Sequence, residues 1–378
     1  MRRIIIEHVE KTPVPKVQIA ERKGIGHPDT LMDTLCNSAS NALSRYYLRN
    51  FKSVLHHNVD KGLLIAGETR PKFGGGRIIK PMEIMIAGRA TAKVGSRKMP
   101  VDSIIKREAV NYLKNFKQLA DFKLIVKVKE GALNLKEAFK SGIPIANDTS
   151  FGVAHAPLSQ VEQLTLNVCD FLNFRLLKKI KAVGADVKVM TASYDSRLKL
   201  SLAVAFIDKF VSSMSDYVEL KEKVKDEVAG FVKIPCEIDI NTLDNVKGDE
   251  STIYLTVTGL SAEQGDDGQT GRGNRPSGLI TPNWPMSMEA TAGKNINHPG
   301  KLYQVLSQII ADKISRLDDV RECCVKLLTQ IGKPLDSPLV SVEQVGGNSA
   351  KTSRIVNEVL DSLQEIQKDV IKGRYRLF

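Results

Sequence analysis

Long apolar runs are missing from this chain. The longest, residues 202–207 within LSLAVAFID, is far too short to cross a bilayer. The opening MRRIIIEHVE has neither the apolar length nor the small-residue cleavage site of an export signal. A cytoplasmic protein with no membrane partner is expected. Cysteine is scarce: Cys36, Cys169, Cys236, Cys323 and Cys324 form an odd set without a CxxC pair, which argues against a disulfide framework or a zinc site. Aromatic residues make up only 6%, and no strand interleaves rings with Arg and Lys. An RNA-binding module stacks bases on such rings, so no nucleic-acid partner is expected despite the net charge of +12. The common phosphate motifs are absent too. There is no GxxxxGK[ST], Pro276 stands where GRGNRP would need its third glycine, and no HRD or DFG occurs.

What is present is a globular composition, 42% hydrophobic and 26% charged over 378 residues, which suggests two or three domains. Apolar residues recur at three- and four-residue steps after Pro28 and predict a helix to about Asn50. SVLHHNVDKGLLIAGE reads as two strands joined near VDKG, EIMIAG as a third, and VDSIIKREAVNYLKNF as a helix capped near Asp102. The pattern returns with a helix over 160–182, a hairpin turning at SYDS, and a helix around VELKEKVKDEVAGF. The last third adds a strand in STIYLTVTGL, a helix around YQVLSQIIADKI, the strand ECCVKLLTQ and one helix from about Ser349 to Ile371. The fold class is therefore α+β, with three similar sheet-and-helix units near residues 1–120, 121–232 and 233–378. No Pro- or Ser-rich linker marks these boundaries.

Two segments depart from this pattern. GIGHPDTLMD sets His27, Pro28 and Asp29 where the first long helix begins. A helix N-terminus offers unpaired N–H groups and a positive dipole end, a natural seat for phosphate, and a first-turn carboxylate suits a hard cation that bridges phosphate oxygens. The residues alone leave a second reading open, in which Asp29 only complements the dipole and His27 only closes the turn. The other segment, from Gly259 to Lys301, is rich in glycine and has no apolar period, which in a compact protein points to function. His56 and His57 do not form a metal pair, because adjacent strand residues point to opposite faces.

ERKGIGHPD, HHNVDKGLLIAGE, ANDTSFGVAHAPLS, ADVKVM, the glycine-rich stretch with GDDG and GRGNRP, and TQIGKPLDSP lie in the order and spacing of the archaeal type of S-adenosylmethionine synthetase. The resemblance runs from about Val17 to the last strands. It implies three intertwined α+β units and a reaction of ATP with L-methionine. Sulfur attacks C5′ and expels tripolyphosphate, which is then hydrolysed to phosphate and diphosphate. It also implies a homodimer with interfacial sites, two Mg²⁺ per site, and activation by K⁺.

An uncharged sulfur nucleophile needs no general base, so alignment and stabilisation of the leaving group must carry the rate. By resemblance His27 faces the departing oxygen, Asp29 ligates Mg²⁺, and Lys188 sits on the phosphates. Arg272 and Lys294 clamp the tripolyphosphate. Glu68, Asp148, Asp186 and Asp266 hold methionine's ammonium or adenosine, and Arg275 supplies a further cation. Glu21 matches an acidic position of the family, and Trp284 is expected to cover a ligand face or a partner subunit. Near residues 127–135 the archaeal GxGSxDL is altered to EGALNL, with Ala132 and Asn134 in place of serine and aspartate. His298 and Lys301 are candidates for the bacterial lysine and aspartate that follow the GK motif, and the second Mg²⁺ site has no assigned ligands.

Overall fold

The computed structural model describes residues 2–11, 14–131, 144–263, 265–271, 277–287 and 289–378. In chain order its main helices are α1 (Pro28–Phe51), α2 (Val101–Leu113), α3 (Gln160–Asp170), α4 (Met214–Val232), α5 (Pro299–Ile314), α6 (Ser349–Asp361) and α7 (Leu363–Ile371).

Three larger sheets organise the chain, each with its own hydrophobic core. The first joins Gly268–Gln269, His57–Ile65, Met82–Ala90 and Phe122–Glu130, and packs on α1 and α2. The second joins Glu237–Ile240, Arg197–Ile207, Val183–Tyr194 and Gln18–Lys23, under α3 and α4. The third joins Arg3–His8, Leu339–Gly346, Val320–Thr329 and Ser150–Ala156, covered by α5, α6 and α7. Each sheet gathers strands from distant parts of the chain. The N-terminal strand pairs in parallel with Leu339–Gly346, and Gln18–Lys23 pairs antiparallel with Val183–Tyr194.

The apolar period of α1 becomes a buried face: Leu31, Leu35 and Leu43 are all at 0% exposure. Each such side chain stabilises the fold by roughly 1.5–3 kcal/mol. The SYDS turn forms as expected, with Asp195 and Ser196 both at positive φ, as a tight right-twisted hairpin requires.

Several local expectations are corrected. HNVDKGLLI is one strand with a register shift between Asn58 and Lys61, because a bulge there absorbs the residues read as a turn. STIYLTVTGL contributes only Leu255–Thr256, paired at Phe206 and Ile207 before the chain turns through Gly259 at φ 81°. The last helix is two, broken at Ser362. Pro100, not Asp102, occupies the cap of α2, and Asp102 lies in its first turn.

Candidate active site

The loop before α1 is held by backbone contact, and this explains its glycines. Gly24 N–H donates to Val187 at 2.7 Å and Gly26 N–H to Ala185 at 3.0 Å. A Cβ on Gly26 would lie 2.5 Å from the Ala185 carbonyl carbon, so the loop lies too close to the strand Val183–Tyr194 for any side chain. His27 then caps the helix: its Nδ1 accepts the Asp29 N–H at 3.2 Å, and Pro28 fills the first helical position. A ring nitrogen that accepts is unprotonated, so the proton is on Nε2. Nε2 faces Asp266, whose Oδ2 is 3.9 Å away and accepts the Ser261 hydroxyl at 3.1 Å.

Opposite charges continue from the helix end across the sheet. Asp29 Oδ2 meets Lys23 Nζ at 2.8 Å, and its Oδ1 accepts the Gln269 N–H at 3.0 Å. Lys23 lies 3.9 Å from Glu21 Oε1, and Glu21 Oε2 lies 3.4 Å from Lys188 Nζ. Strand pairing brings this about, since Lys188 sits directly opposite Lys23 and Glu21 is two residues along. Asp186, two residues before Lys188, projects from the same face. It is buried and accepts a hydrogen bond from the Tyr254 hydroxyl. Burial, reinforced by Asp266, raises its carboxyl above the ordinary aspartate value, against the Tyr254 bond. The cavity beside Lys188 measures about 850 Å³ and is lined by Met190, Asp239, Asn241, Asp244 and Tyr254.

A second group forms around Lys294. Its ammonium reaches Asp60 at 3.0 Å and Glu289 at 2.7 Å. Burial opposes that charge, yet the two carboxylates hold the lysine above its ordinary value. Asp148 belongs here: His298 Nε2 stands 3.2 Å from its Oδ2, and that bond, with the field of Lys294, holds its carboxyl below the ordinary range. Lys301, buried behind, donates to the Lys294 carbonyl and to Asn37. Burial and the neighbouring Lys294 pull its ammonium down to about 7. The short strand Gly268–Gln269 links the two groups, since Gln269 binds Asp29 while the next residue, Thr270, donates to the Asp60 carbonyl at 2.7 Å.

Thus His27, Asp29, Asp186, Lys188 and Asp266 share one neighbourhood, and Lys294 and Asp148 another. Glu68 is exposed and pairs with Lys80 at 2.7 Å. Arg272 and Arg275, like Ala132 and Asn134, lie outside the described residues. Trp284 stacks on His155 of its own chain, 4.8 Å between centroids. His57 is buried against Ser40 and Leu55, and burial pushes its pKa down to about 3.

Lys23, Asp60, Glu289, Tyr254 and Glu263 were not singled out from sequence. Lys23 and Asp60 sit inside ERKGIGHPD and HHNVDKG, so the motifs themselves carried the signal. Glu263 accepts the Val257 and Thr258 N–H groups and fastens the start of the glycine-rich loop; burial raises its pKa to about 7.

The donors flanking His27 are hard carboxylate oxygens, Asp29 on one side and Asp266 on the other. No group of three His, Cys, Asp or Glu side chains forms a metal cage among the described residues. Such a set fits a divalent cation that takes one or two carboxylates and completes its shell with phosphate and water. No helix among the described residues is long and apolar enough to cross a membrane.

The profile described as S-adenosylmethionine synthetase (AdoMet synthetase) matches residues 2–374. The chain is 42% identical over 401 aligned positions to the S-adenosylmethionine synthase of Methanothermobacter marburgensis, with 100% of both chains covered. It is 40% identical over 399 positions to that of Pyrococcus furiosus, again with 100% of both covered. A solved structure, described as an unusual S-adenosylmethionine synthetase from Campylobacter jejuni, has a TM-score of 0.60 at 15% identity, covering 96% of this chain and 89% of that one. That last likeness concerns the fold alone.

Proposed function

The chain belongs to the S-adenosylmethionine synthetase family, and from that premise we propose how its residues divide the work. It is a methionine adenosyltransferase: it makes S-adenosylmethionine from ATP and L-methionine, and its family uses a divalent metal. In our reading the metal is Mg²⁺, two ions per site, with K⁺ as a monovalent activator. Asp29 would hold one Mg²⁺, which when bound would neutralise charge on the polyphosphate.

The methionine sulfur attacks C5′, the C5′–O bond breaks, and tripolyphosphate departs; one water then converts it to phosphate and diphosphate. His27 presents its Nε2–H to the oxygen leaving C5′. The helix cap keeps that proton on Nε2, so the donor needs no reorganisation as charge develops. Lys188 stands on the phosphates beside the reacting carbon. Lys294 and Arg272 grip the tripolyphosphate, Arg272 through bidentate bonds and Arg275 beside it. Asp186, Asp148, Asp266 and Glu68 orient adenosine and the methionine ammonium.

Catalysis takes place in the cytoplasm, in a homodimer with the two sites in the interface. The outward face of His57–Ile65, with Leu63 and Ile65 41% and 45% exposed, supports that assembly. The observation that carries the reading is the convergence of His27, Asp29, Lys23, Glu21, Lys188 and Asp266 on one helix end.

Pure protein with ATP, methionine and Mg²⁺ should yield S-adenosylmethionine, phosphate and diphosphate in equal amounts, read by mass detection. Quenched-flow with labelled ATP then separates the steps. Arg272→Leu should slow hydrolysis of added tripolyphosphate more than it slows alkyl transfer, and His27→Asn should do the reverse. Equal slowing of both steps by both substitutions would overturn the division of labour.

A further inference from the structure

His298 is a histidine the reaction scheme leaves unused, and its surroundings are unusually determinate. It is 2% exposed and caps α5, its Nδ1 accepting the Gly300 N–H at 3.1 Å. An accepting Nδ1 leaves the proton on Nε2, and Nε2 stands 3.2 Å from Asp148 Oδ2. The other Asp148 oxygen accepts the Thr149 N–H at 2.7 Å. The Asp148 side chain is 56% exposed, so a half-open carboxylate is held by a buried ring below and a backbone amide beside it. Both ring nitrogens are engaged, Nδ1 by Gly300 and Nε2 by Asp148. The helix cap fixes Nδ1, and Pro299 follows directly in the first helical position.

We propose that His298 is a positioning residue: locked by the cap of α5, it aims the Asp148 carboxylate so that the remaining oxygen lone pairs meet the substrate's ammonium group. The proposal rests on the reading of Asp148 as an ammonium-binding carboxylate. Two fixed donors stop the carboxylate from rotating, so its orientation is set before substrate arrives, and the substrate's binding energy is not spent on ordering it. Loss of the imidazole bond then weakens binding of the amino acid while leaving alkyl transfer intact.

The test is steady-state kinetics on the full-length enzyme, with methionine varied at saturating ATP and Mg²⁺, for His298→Asn, Asp148→Asn and the double variant. Asparagine is a preferred N-cap, so it can still accept the Gly300 N–H, but its amide is too short to reach Asp148. For His298→Asn we expect the KM for methionine to rise about tenfold, as for loss of one hydrogen bond to a charged group. The kcat and the KM for ATP should stay within about twofold, as for loss of uniform binding. Asp148→Asn should raise the same KM by roughly 10- to 100-fold, and the double variant should be no worse than Asp148→Asn, because both changes remove one arrangement.

An unchanged methionine KM in Asp148→Asn would refute the ammonium reading itself. A raised KM in Asp148→Asn beside an unchanged one in His298→Asn would refute positioning alone. A fall in kcat and in thermal midpoint with no selective methionine effect would make His298 merely structural and also overturn the proposal; His298→Gln, with its longer amide, provides the second variant should the asparagine form fold poorly.

Discussion

Helices α1 and α5 begin in the same way and end up with different tasks. Each starts with a His-Pro pair; in each the histidine Nδ1 accepts the amide two residues on, at 3.2 Å for His27 and 3.1 Å for His298. In each the Nε2 side faces an aspartate, Asp266 at 3.9 Å and Asp148 at 3.2 Å. The next residues differ. After His27-Pro28 comes Asp29, a carboxylate partly open to solvent and paired with Lys23; after His298-Pro299 comes Gly300, packed against Glu289 and followed by the buried Lys301. One capping geometry thus supports two roles. In the proposed scheme the α1 end meets a hard cation and phosphate directly, whereas the sealed α5 end acts only through the aspartate it holds.

The largest expected effect contrasts the two histidines through the same replacement. His27→Asn should lower turnover by about 100- to 1,000-fold, since it removes a donor aimed at the leaving oxygen. His298→Asn should leave turnover nearly intact. Comparable kcat losses in the two variants would dissolve the distinction between the helix ends.

Next comes Asp29→Asn, which removes the carboxylate that α5 lacks. It should lower the rate and move the Mg²⁺ activation curve to higher concentration together, whereas Lys188→Met should slow turnover with little change in the Mg²⁺ curve. A Mg²⁺ titration of each variant checks this, and an unshifted curve for Asp29→Asn would take that residue out of the metal's shell.

The sealed end is tested by giving Gly300 a side chain. A Cβ there would stand 2.2 Å from Glu289 Cγ, so Gly300→Ala should cost about 1–3 kcal/mol by overpacking. Chemical denaturation would measure it. Alanine at 300 should also disturb the Glu289–Lys294 pair, and unaltered stability would mean the α5 end is looser than its burial implies.

The smallest effect is a slope. Lys301 titrates near 7 in the folded protein, far below its ordinary value of 10.5, so the unfolded chain binds more protons between those limits. Its burial therefore opposes folding below pH 7, and that cost is relieved as pH rises toward 10. Urea midpoints across pH 7 to 9 should show this group adding up to about 1.4 kcal/mol per pH unit of stability in the native enzyme. The same contribution should be missing in Lys301→Met.

Part of the candidate site was legible beforehand because its residues cluster in the chain. Capping a helix requires His27 and Asp29 to be neighbours, and a strand's period of two puts Asp186 and Lys188 on one face without knowledge of the fold. The repeated His-Pro start went unnoticed, since 271 positions separate His27 from His298 and only their helices reveal the likeness. The stack of Trp284 on His155 was not legible for a different reason. An aromatic in an irregular loop has no period to say what it stacks on, and His155 lies on a strand far away in sequence. The turn foreseen at VDKG was wrong because turn residues also suit a bulge, and only the partner strand distinguishes the two.

The sequence by itself determined the α+β class, the helix that starts at Pro28, the SYDS hairpin and the residue types at the start of α1, since each follows from local period, capping or turn chemistry. Tertiary structure decided the rest. It interwove distant strands into three sheets, set Glu21 between Lys23 and Lys188, put Asp60 and Glu289 on Lys294, and turned the second His-Pro start into a brace for Asp148. Those pairings depend on which strand edges meet and which side chains lose water together, and no window of neighbouring residues encodes that.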